Sequence, residues 1–217
     1  MKIGILFDLD GTLLDTLDDL TASVNYALSQ YGLPSRTKEQ VRCAIGSGAK
    51  KLIERSMPGL PDDPDVDAVL ATYQAHYKAN NRVATRPYRG VTEALEELKK
   101  DFPIAIVSNK PDAPTKLLCA DFFPGVYARG ESDDCIRKPA PDMLLKTMAL
   151  LGVDTCIYVG DSDVDVLTAK NTGAPCLSVL WGFRDEDAIR QAGGTHFCTD
   201  PKDLTTTLKN MVKEIYG

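Results

Sequence analysis

Short runs of apolar and β-branched residues recur along the chain at 3–7, 104–107, 156–159 and 176–180, with a weaker run at 195–198. Within each run the apolar residues are continuous rather than alternating, which is the pattern of parallel strands buried on both faces. Between these runs apolar positions repeat at helical spacing over 91–99, 114–119, 142–151, 164–171 and 186–192, and residues 200–215 supply a last helix. Strands alternating with helices predict an α/β chain built on a Rossmann-like open parallel sheet. One stretch breaks the rhythm. Residues 15–83 carry helical periodicity at 17–31, 38–43, 49–55 and 66–80 and no convincing strand. The expected organisation is a core formed by 1–14 and 84–217, with a small helical cap domain, 15–83, inserted after the first strand. A set of helices this small lacks the core to be stable alone, so it is expected to dock on the sheet domain and to move about hinges at 14–17 and 80–87.

Composition narrows the classes of function. Apolar residues make up 43% of the chain and charged residues 26%, which excludes a disordered or fibrous class. The net charge of −6 argues against a nucleic-acid partner, since binding through phosphates needs clustered Lys and Arg, but it leaves room for a small anionic substrate in one local cationic pocket. Acids interrupt the first apolar run too early for a signal peptide or a membrane span, so a cytoplasmic location without membrane attachment is expected. The six cysteines contain no Cys-x-x-Cys pair, which disfavours zinc ribbons and redox motifs; they read as reduced, small hydrophobes. His76 and His196 are the only histidines, too few for a His-based metal site or a Ser-His-Asp triad, and each reads as structural. Oligomeric state is not legible.

In open α/β sheets, ligands bind at the carboxyl ends of the strands. The first strand runs into Asp8-Leu-Asp-Gly-Thr-Leu13, the second ends at Ser108-Asn-Lys110, and a later one at Gly160-Asp-Ser-Asp-Val-Asp165; Lys138-Pro-Ala-Pro141 opens a helix. Asp8 and Asp10, two apart at a strand end, can both approach one cavity, and Asp161 arrives from another strand. Such a cluster of oxygens suits Mg²⁺, a hard octahedral ion that keeps waters and substrate phosphate as its remaining ligands. Gly11 permits close backbone approach, Thr12 and Ser108 can hydrogen-bond phosphoryl oxygens, and Lys138 adds a positive charge. The residues by themselves leave open which aspartate attacks. Asp-x-Asp-Gly-Thr taken alone is also compatible with a capped turn between strand and helix, so the weight rests on the set of motifs. Two imitations fail. Asp161, Asp163 and Asp165 begin like a calcium loop, but Val166 stands where its glycine belongs and Thr172 where its bidentate glutamate belongs. Gly46-Ser-Gly48 has neither the third glycine and preceding strand of a dinucleotide fingerprint nor the Gly-Lys-Ser/Thr of a phosphate loop.

The four motifs, in this order, resemble those of the haloacid dehalogenase superfamily, and the helical insertion after the first resembles that family's first type of cap. The resemblance implies Asp8 as nucleophile and Asp10 as general acid and then base. It implies Mg²⁺ held by Asp8, by the backbone carbonyl of Asp10 and by Asp161, with Asp165 a ligand or a support behind the ligands. Ser108 and Lys138 would bind the transferring phosphoryl group, and Asn109 would fix the loop. The acid at position 10 disfavours the dehalogenase and phosphonate-cleaving branches, which resemblance implies lack one there. The segments 41–55, 86–90 and 180–184 look like the phosphoglycolate phosphatase subgroup. The expected activity is therefore Mg²⁺-dependent hydrolysis of a small phosphomonoester, with 2-phosphoglycolate as the leading substrate and a sugar-phosphate mutase, a pyrophosphatase, a nucleotidase or a non-catalytic phosphometabolite-binding module as alternatives. A carboxylated substrate needs a second anion site. Gly46 and Gly48, with Lys50 and Lys51, are the candidates in the cap, Arg42 is a weaker one, and either lysine also reads as an ordinary solvated helix residue.

Overall fold

The computed structural model describes all 217 residues, which fall into two compact units, Met1–Leu14 with Pro87–Gly217, and Asp15–Arg86. In the first unit the strands β1 (Ile3–Phe7), β4 (Ile104–Pro111), β5 (Tyr127–Glu131), β6 (Thr155–Gly160), β7 (Cys176–Val179) and β8 (His196–Cys198) form one sheet in the order β5-β4-β1-β6-β7-β8. All its pairings are parallel. The short strands β2 (Leu14–Asp15) and β3 (Arg86–Pro87) pair where the chain leaves the unit and returns. The return thus lies a few residues beyond the 83/84 boundary expected from periodicity.

The continuous apolar runs have a physical cause. Ile5 and Phe7 of β1 belong to the core on one face of the sheet, together with Ile104, Ile106, Ile157, Val159, Leu177 and Val179. Leu6 lies in the core of the other face, with Ala105, Val107, Cys156 and Tyr158. Ile5, Leu6 and Phe7 are fully buried, each worth about 1.5–3 kcal/mol relative to exposure. Helices α5 (Val91–Leu98), α6 (Asp112–Phe122) and α10 (Leu204–Tyr216) cover the first face through Leu95, Leu118 and Leu208; α7 (Asp142–Leu151) and α8 (Asp163–Thr172) cover the second through Met143, Leu144 and Ala169. A short helix α9 (Glu186–Gln191) precedes β8.

Periodicity missed β5. Its residues alternate between half-buried and buried, as befits an edge strand, and Arg129 and Glu131 interrupt any apolar run. The last helix begins later than expected, because Pro201–Asp203 form a 3₁₀ turn capped by Asp200, whose carboxylate accepts from the Lys202 N–H.

The second unit contains α1 (Leu17–Gln30), α2 (Lys38–Ala44), α3 (Ala49–Ser56) and α4 (Val66–Asn80). A capping box opens α2: Thr37 accepts from the Gln40 N–H while the Gln40 side chain accepts from the Thr37 N–H. The buried Asp19 carboxylate accepts from the N–H groups of Ala84 and Thr85 and from the Thr85 hydroxyl, tying α1 to the end of the unit. No helix of the chain is long and apolar enough to cross a membrane.

Candidate active site

The chain leaves β1 in a tight turn anchored by its own apolar residues. Leu9, Leu13 and Leu14 are fully buried, and the N–H groups of Leu13 and Leu14 both donate to the Leu9 carbonyl at 3.0 Å. Gly11 takes φ +84°, and a Cβ there would fall 2.7 Å from Asp161 Cγ, so only glycine fits. This turn holds Asp8, Asp10 and Thr12 at the carboxyl end of β1, next to the end of β6, from which Asp161 and Asp165 follow. That junction is where the sheet order reverses.

Asp8, Asp161 and Asp165 are buried and offer carboxylate oxygens within 4.8 Å of one another. Their surroundings differ. Asp165 is almost fully engaged: Oδ1 accepts from Lys138 Nζ at 2.8 Å and lies 3.2 Å from the Tyr158 hydroxyl, whose one proton it shares with the Val107 carbonyl, and Oδ2 accepts from the Ser162 N–H at 3.1 Å and the Ser162 hydroxyl at 2.6 Å. Three donors and a share of a fourth leave this carboxylate little free acceptor capacity. Asp161 accepts only the Thr12 hydroxyl at 2.9 Å and the Phe183 N–H at 2.7 Å, which leaves a lone pair on each oxygen. Asp8 Oδ1 lies 3.0 Å from Lys138 Nζ but off a hydrogen-bonding direction, so this buried oxygen has an ion-pair neighbour and no hydrogen-bond donor. An orphaned carboxylate oxygen beside a half-satisfied one is a donor set for a hard divalent cation.

Electrostatics agrees. Burial, with the charges of Asp165 and Asp10, pushes the Asp8 carboxyl up to about 6 despite Lys138, and burial with the charges of Asp165 and Asp8 pushes Asp161 up to about 8. Burial works against the Lys138 ammonium, but Asp165 and Asp8 outweigh it and hold its pKa above the usual lysine value. Like-charged carboxylates crowded in a dry site favour a cation among them.

The remaining residues brace this centre. Asn109 clamps the Lys138 backbone from both sides, donating to its carbonyl at 2.9 Å and accepting from its N–H at 2.8 Å. Ser108 is buried at the same strand end and accepts from the Lys110 N–H at 3.3 Å. Tyr158 accepts from Lys138 Nζ at 2.8 Å, and its one hydroxyl proton is shared between the Val107 carbonyl at 3.0 Å and Asp165 Oδ1 at 3.2 Å. Trp181 donates from its indole to the Thr12 carbonyl at 3.0 Å. Asp10 stands apart from the three clustered carboxylates, both its oxygens held by Lys110. Lys110, Tyr158 and the Trp181–Phe183 loop received no role from sequence reasoning; Tyr158 lies inside an apolar run, where nothing distinguishes it from core. The candidates of the helical unit lie on that unit's own surface. Gly46 and Gly48 take positive φ and Gly48 caps α3, while Lys50 is paired with Asp67 at 2.7 Å and Lys51 with Glu54 at 2.5 Å, all on the surface. Arg42 is held by Glu39.

The model of haloacid dehalogenase-like hydrolases matches residues 5–179. The chain belongs to that family. Among its relatives, phosphoglycolate phosphatase 1 of Pseudomonas aeruginosa is 33% identical over 211 residues, covering 92% of this chain and 77% of the relative. The phosphoglycolate phosphatase of Aquifex aeolicus is 33% identical over 190 residues, 82% of this chain and 85% of the relative. A crystal structure from Lactobacillus delbrueckii subsp. bulgaricus, of a protein named by prediction as a phosphoglycolate phosphatase, superposes with a TM-score of 0.88 at 31% identity over 94% of this chain and 97% of that one. Family membership accounts for the ordering of the four motifs. The packing around Asp8, Asp161 and Asp165 gives those motifs their physical content.

Proposed function

We propose that this protein is a Mg²⁺-dependent phosphatase that hydrolyses a small phosphomonoester through a phosphorylated Asp8, and that 2-phosphoglycolate is its substrate. The observation that carries the mechanism is the orphaned, buried Asp8 oxygen facing Lys138 at the end of β1. The substrate assignment is supported by the relatives named phosphoglycolate phosphatase, which match over most of this chain.

The side chains of Asp8 and Asp161 and the backbone carbonyl of Asp10 would hold the ion, with Asp165 behind them orienting Lys138 and capping α8 through Ser162. When bound, Mg²⁺ offsets the charge of the phosphoryl oxygens and of the crowded carboxylates. In the first step an Asp8 oxygen forms a bond to phosphorus as the bond to the leaving oxygen breaks, and Asp10 gives that oxygen its proton. In the second, water attacks the phosphorus, Asp10 takes its proton, and the Asp8 carboxylate departs. Lys138 and Ser108 stabilise the equatorial oxygens, and Asn109 keeps Lys138 from drifting. The turn Gly46–Gly48 with Lys50 and Lys51 is assigned to the substrate's carboxylate. Their present ion pairs are exposed and screened, so redirecting a lysine costs little.

The test is a panel of phosphorylated metabolites with and without Mg²⁺, alongside Asp8→Asn. Expected are metal-dependent turnover led by 2-phosphoglycolate, phosphate trapped on Asp8 in an acid quench, inhibition by Ca²⁺, and loss of essentially all turnover in the variant. Undiminished activity after metal stripping in EDTA would overturn the metal part, and an active Asp8→Asn the nucleophile. Preference for pyrophosphate or a nucleotide would overturn the substrate.

A further inference from the structure

Two buried lysines stand in this site, and they serve different carboxylates. Lys138 is shared by Asp8 and Asp165. Lys110 turns to Asp10, with Nζ 2.9 Å from one carboxylate oxygen and 2.7 Å from the other. The Lys110 and Asp10 side chains are only 4% and 13% exposed, so this pair is not a screened surface contact.

Lys110 is also the more firmly rooted partner. Its carbonyl shares the Thr115 hydroxyl proton, at 3.2 Å, with the Pro111 carbonyl at 3.0 Å, its N–H donates to Ser108 Oγ at 3.3 Å, and β5 approaches so closely that a Cβ on Gly130 would lie 2.6 Å from the Lys110 carbonyl. Asp10 instead sits in a turn whose one strand-like contact is a bridge to Leu14.

We infer that Lys110 is a positioning residue for Asp10: by gripping both oxygens it selects one side-chain orientation for the group that exchanges protons with the leaving oxygen and the water. An aspartate has several staggered orientations, and the neighbouring Asp8 carboxylate repels it from the reacting centre. A fixed partner replaces that freedom with one geometry, the part of catalysis that depends on alignment. This rests on the phosphatase reading given above.

A double-mutant cycle tests it. Lys110→Met, Asp10→Asn and the combined variant are compared with the parent at saturating Mg²⁺, using 2-phosphoglycolate, whose leaving alkoxide needs a proton, and p-nitrophenyl phosphate, whose leaving phenolate does not. Lys110→Met is expected to lower kcat/KM for 2-phosphoglycolate by about 10- to 100-fold, the usual penalty for a misaligned group. Its kcat/KM for p-nitrophenyl phosphate and its inhibition by inorganic phosphate are expected to stay close to the parent's. In the Asp10→Asn background the same substitution is expected to change neither, because its whole effect runs through Asp10. The combined variant buries no unpaired charge, so it remains informative if Lys110→Met alone folds poorly. Equal losses on both substrates, weakened inhibition by inorganic phosphate, or a full further loss in the Asp10→Asn background would make Lys110 a phosphate ligand or a structural residue and overturn the proposal; so would an unaffected Lys110→Met. Failure of the parent to hydrolyse either substrate would instead refute the phosphatase reading.

Discussion

Gly182 lies in the loop after β7 and carries no functional group, yet its replacement should damage the site severely. A Cβ placed on it would fall 2.5 Å from Asp161 Oδ2 and 2.5 Å from the Gly11 carbonyl oxygen, and nearer still to Asp161 Cβ. That is about 1 Å inside van der Waals contact, and neither neighbour can swing away cheaply. The Asp161 carboxylate is fastened by Thr12 and by the Phe183 N–H next to the substituted position, and the Gly11 carbonyl belongs to the turn that carries Asp10. Overpacking of this kind costs about 1–3 kcal/mol. If the loop yields, the charged hydrogen bond from Phe183 weakens, with a full value of about 1.5–3 kcal/mol. Taking about 2–4 kcal/mol for Gly182→Ala, the melting temperature should fall by about 5–15 °C for a chain of this size. Because Asp161 itself is displaced, Mg²⁺ affinity measured calorimetrically should fall together with stability, by about tenfold for each 1.4 kcal/mol of lost binding. A Gly182→Ala protein that melts within about 1 °C of the parent and binds Mg²⁺ equally well would refute the reasoning, since it would show the loop absorbing a methyl group without moving Asp161.

Further outcomes are expected from the same geometry. Asp8 and Asp161 are raised from 3.8 to about 6 and about 8 in the folded, metal-free protein, so the folded state binds their protons more tightly than the unfolded chain and stability falls as pH rises through that window. Melts in EDTA should therefore decline from pH 5 toward pH 8, and the stabilisation added by Mg²⁺, which takes the place of those protons, should grow over the same range; a Mg²⁺ increment independent of pH would contradict this. Tyr158→Phe removes a buried hydroxyl shared by Lys138, Asp165 and the Val107 carbonyl, and should cost about 1–3 kcal/mol of stability by thermal melting and lower kcat; an unchanged melt and rate would show that the network closes without it. For 2-phosphoglycolate, Lys50→Ala or Lys51→Ala should lower kcat/KM by about 10- to 150-fold, the worth of one charged hydrogen bond, while leaving p-nitrophenyl phosphate turnover in place; two neutral substitutions would remove the lysines from substrate recognition.

The sequence by itself determined the architecture wherever a segment's burial is uniform. β1, β4, β6 and β7 sit inside the sheet with both faces covered, so their apolar runs are continuous and readable. The helices of the inserted unit follow from periodicity and from signals such as Thr37 and Gln40 at the start of α2. Asp8, Asp161 and Lys138 were legible because carboxylates, a lysine and small turn residues at strand ends have few other uses in that pattern. What the sequence left unread depends on neighbours distant along the chain. β5 is half-buried because it lies at the sheet edge, a position set by its pairing with β4 and invisible in Tyr127–Glu131 alone. Which oxygens each aspartate presents was likewise decided by packing: Asp10 is claimed by Lys110, a hundred residues away, and Asp165 is engaged by Lys138 and Ser162 with a share of the Tyr158 hydroxyl. Tyr158 reads as core from its flanks and becomes polar machinery only because β6 lies beside β1 and brings its hydroxyl to Lys138. A residue's type sets which interactions it can make, and local pattern sets where its backbone goes. Only the folded chain brings partners within the roughly 3 Å over which a hydrogen bond acts, so the division of labour among these carboxylates belongs to the tertiary structure.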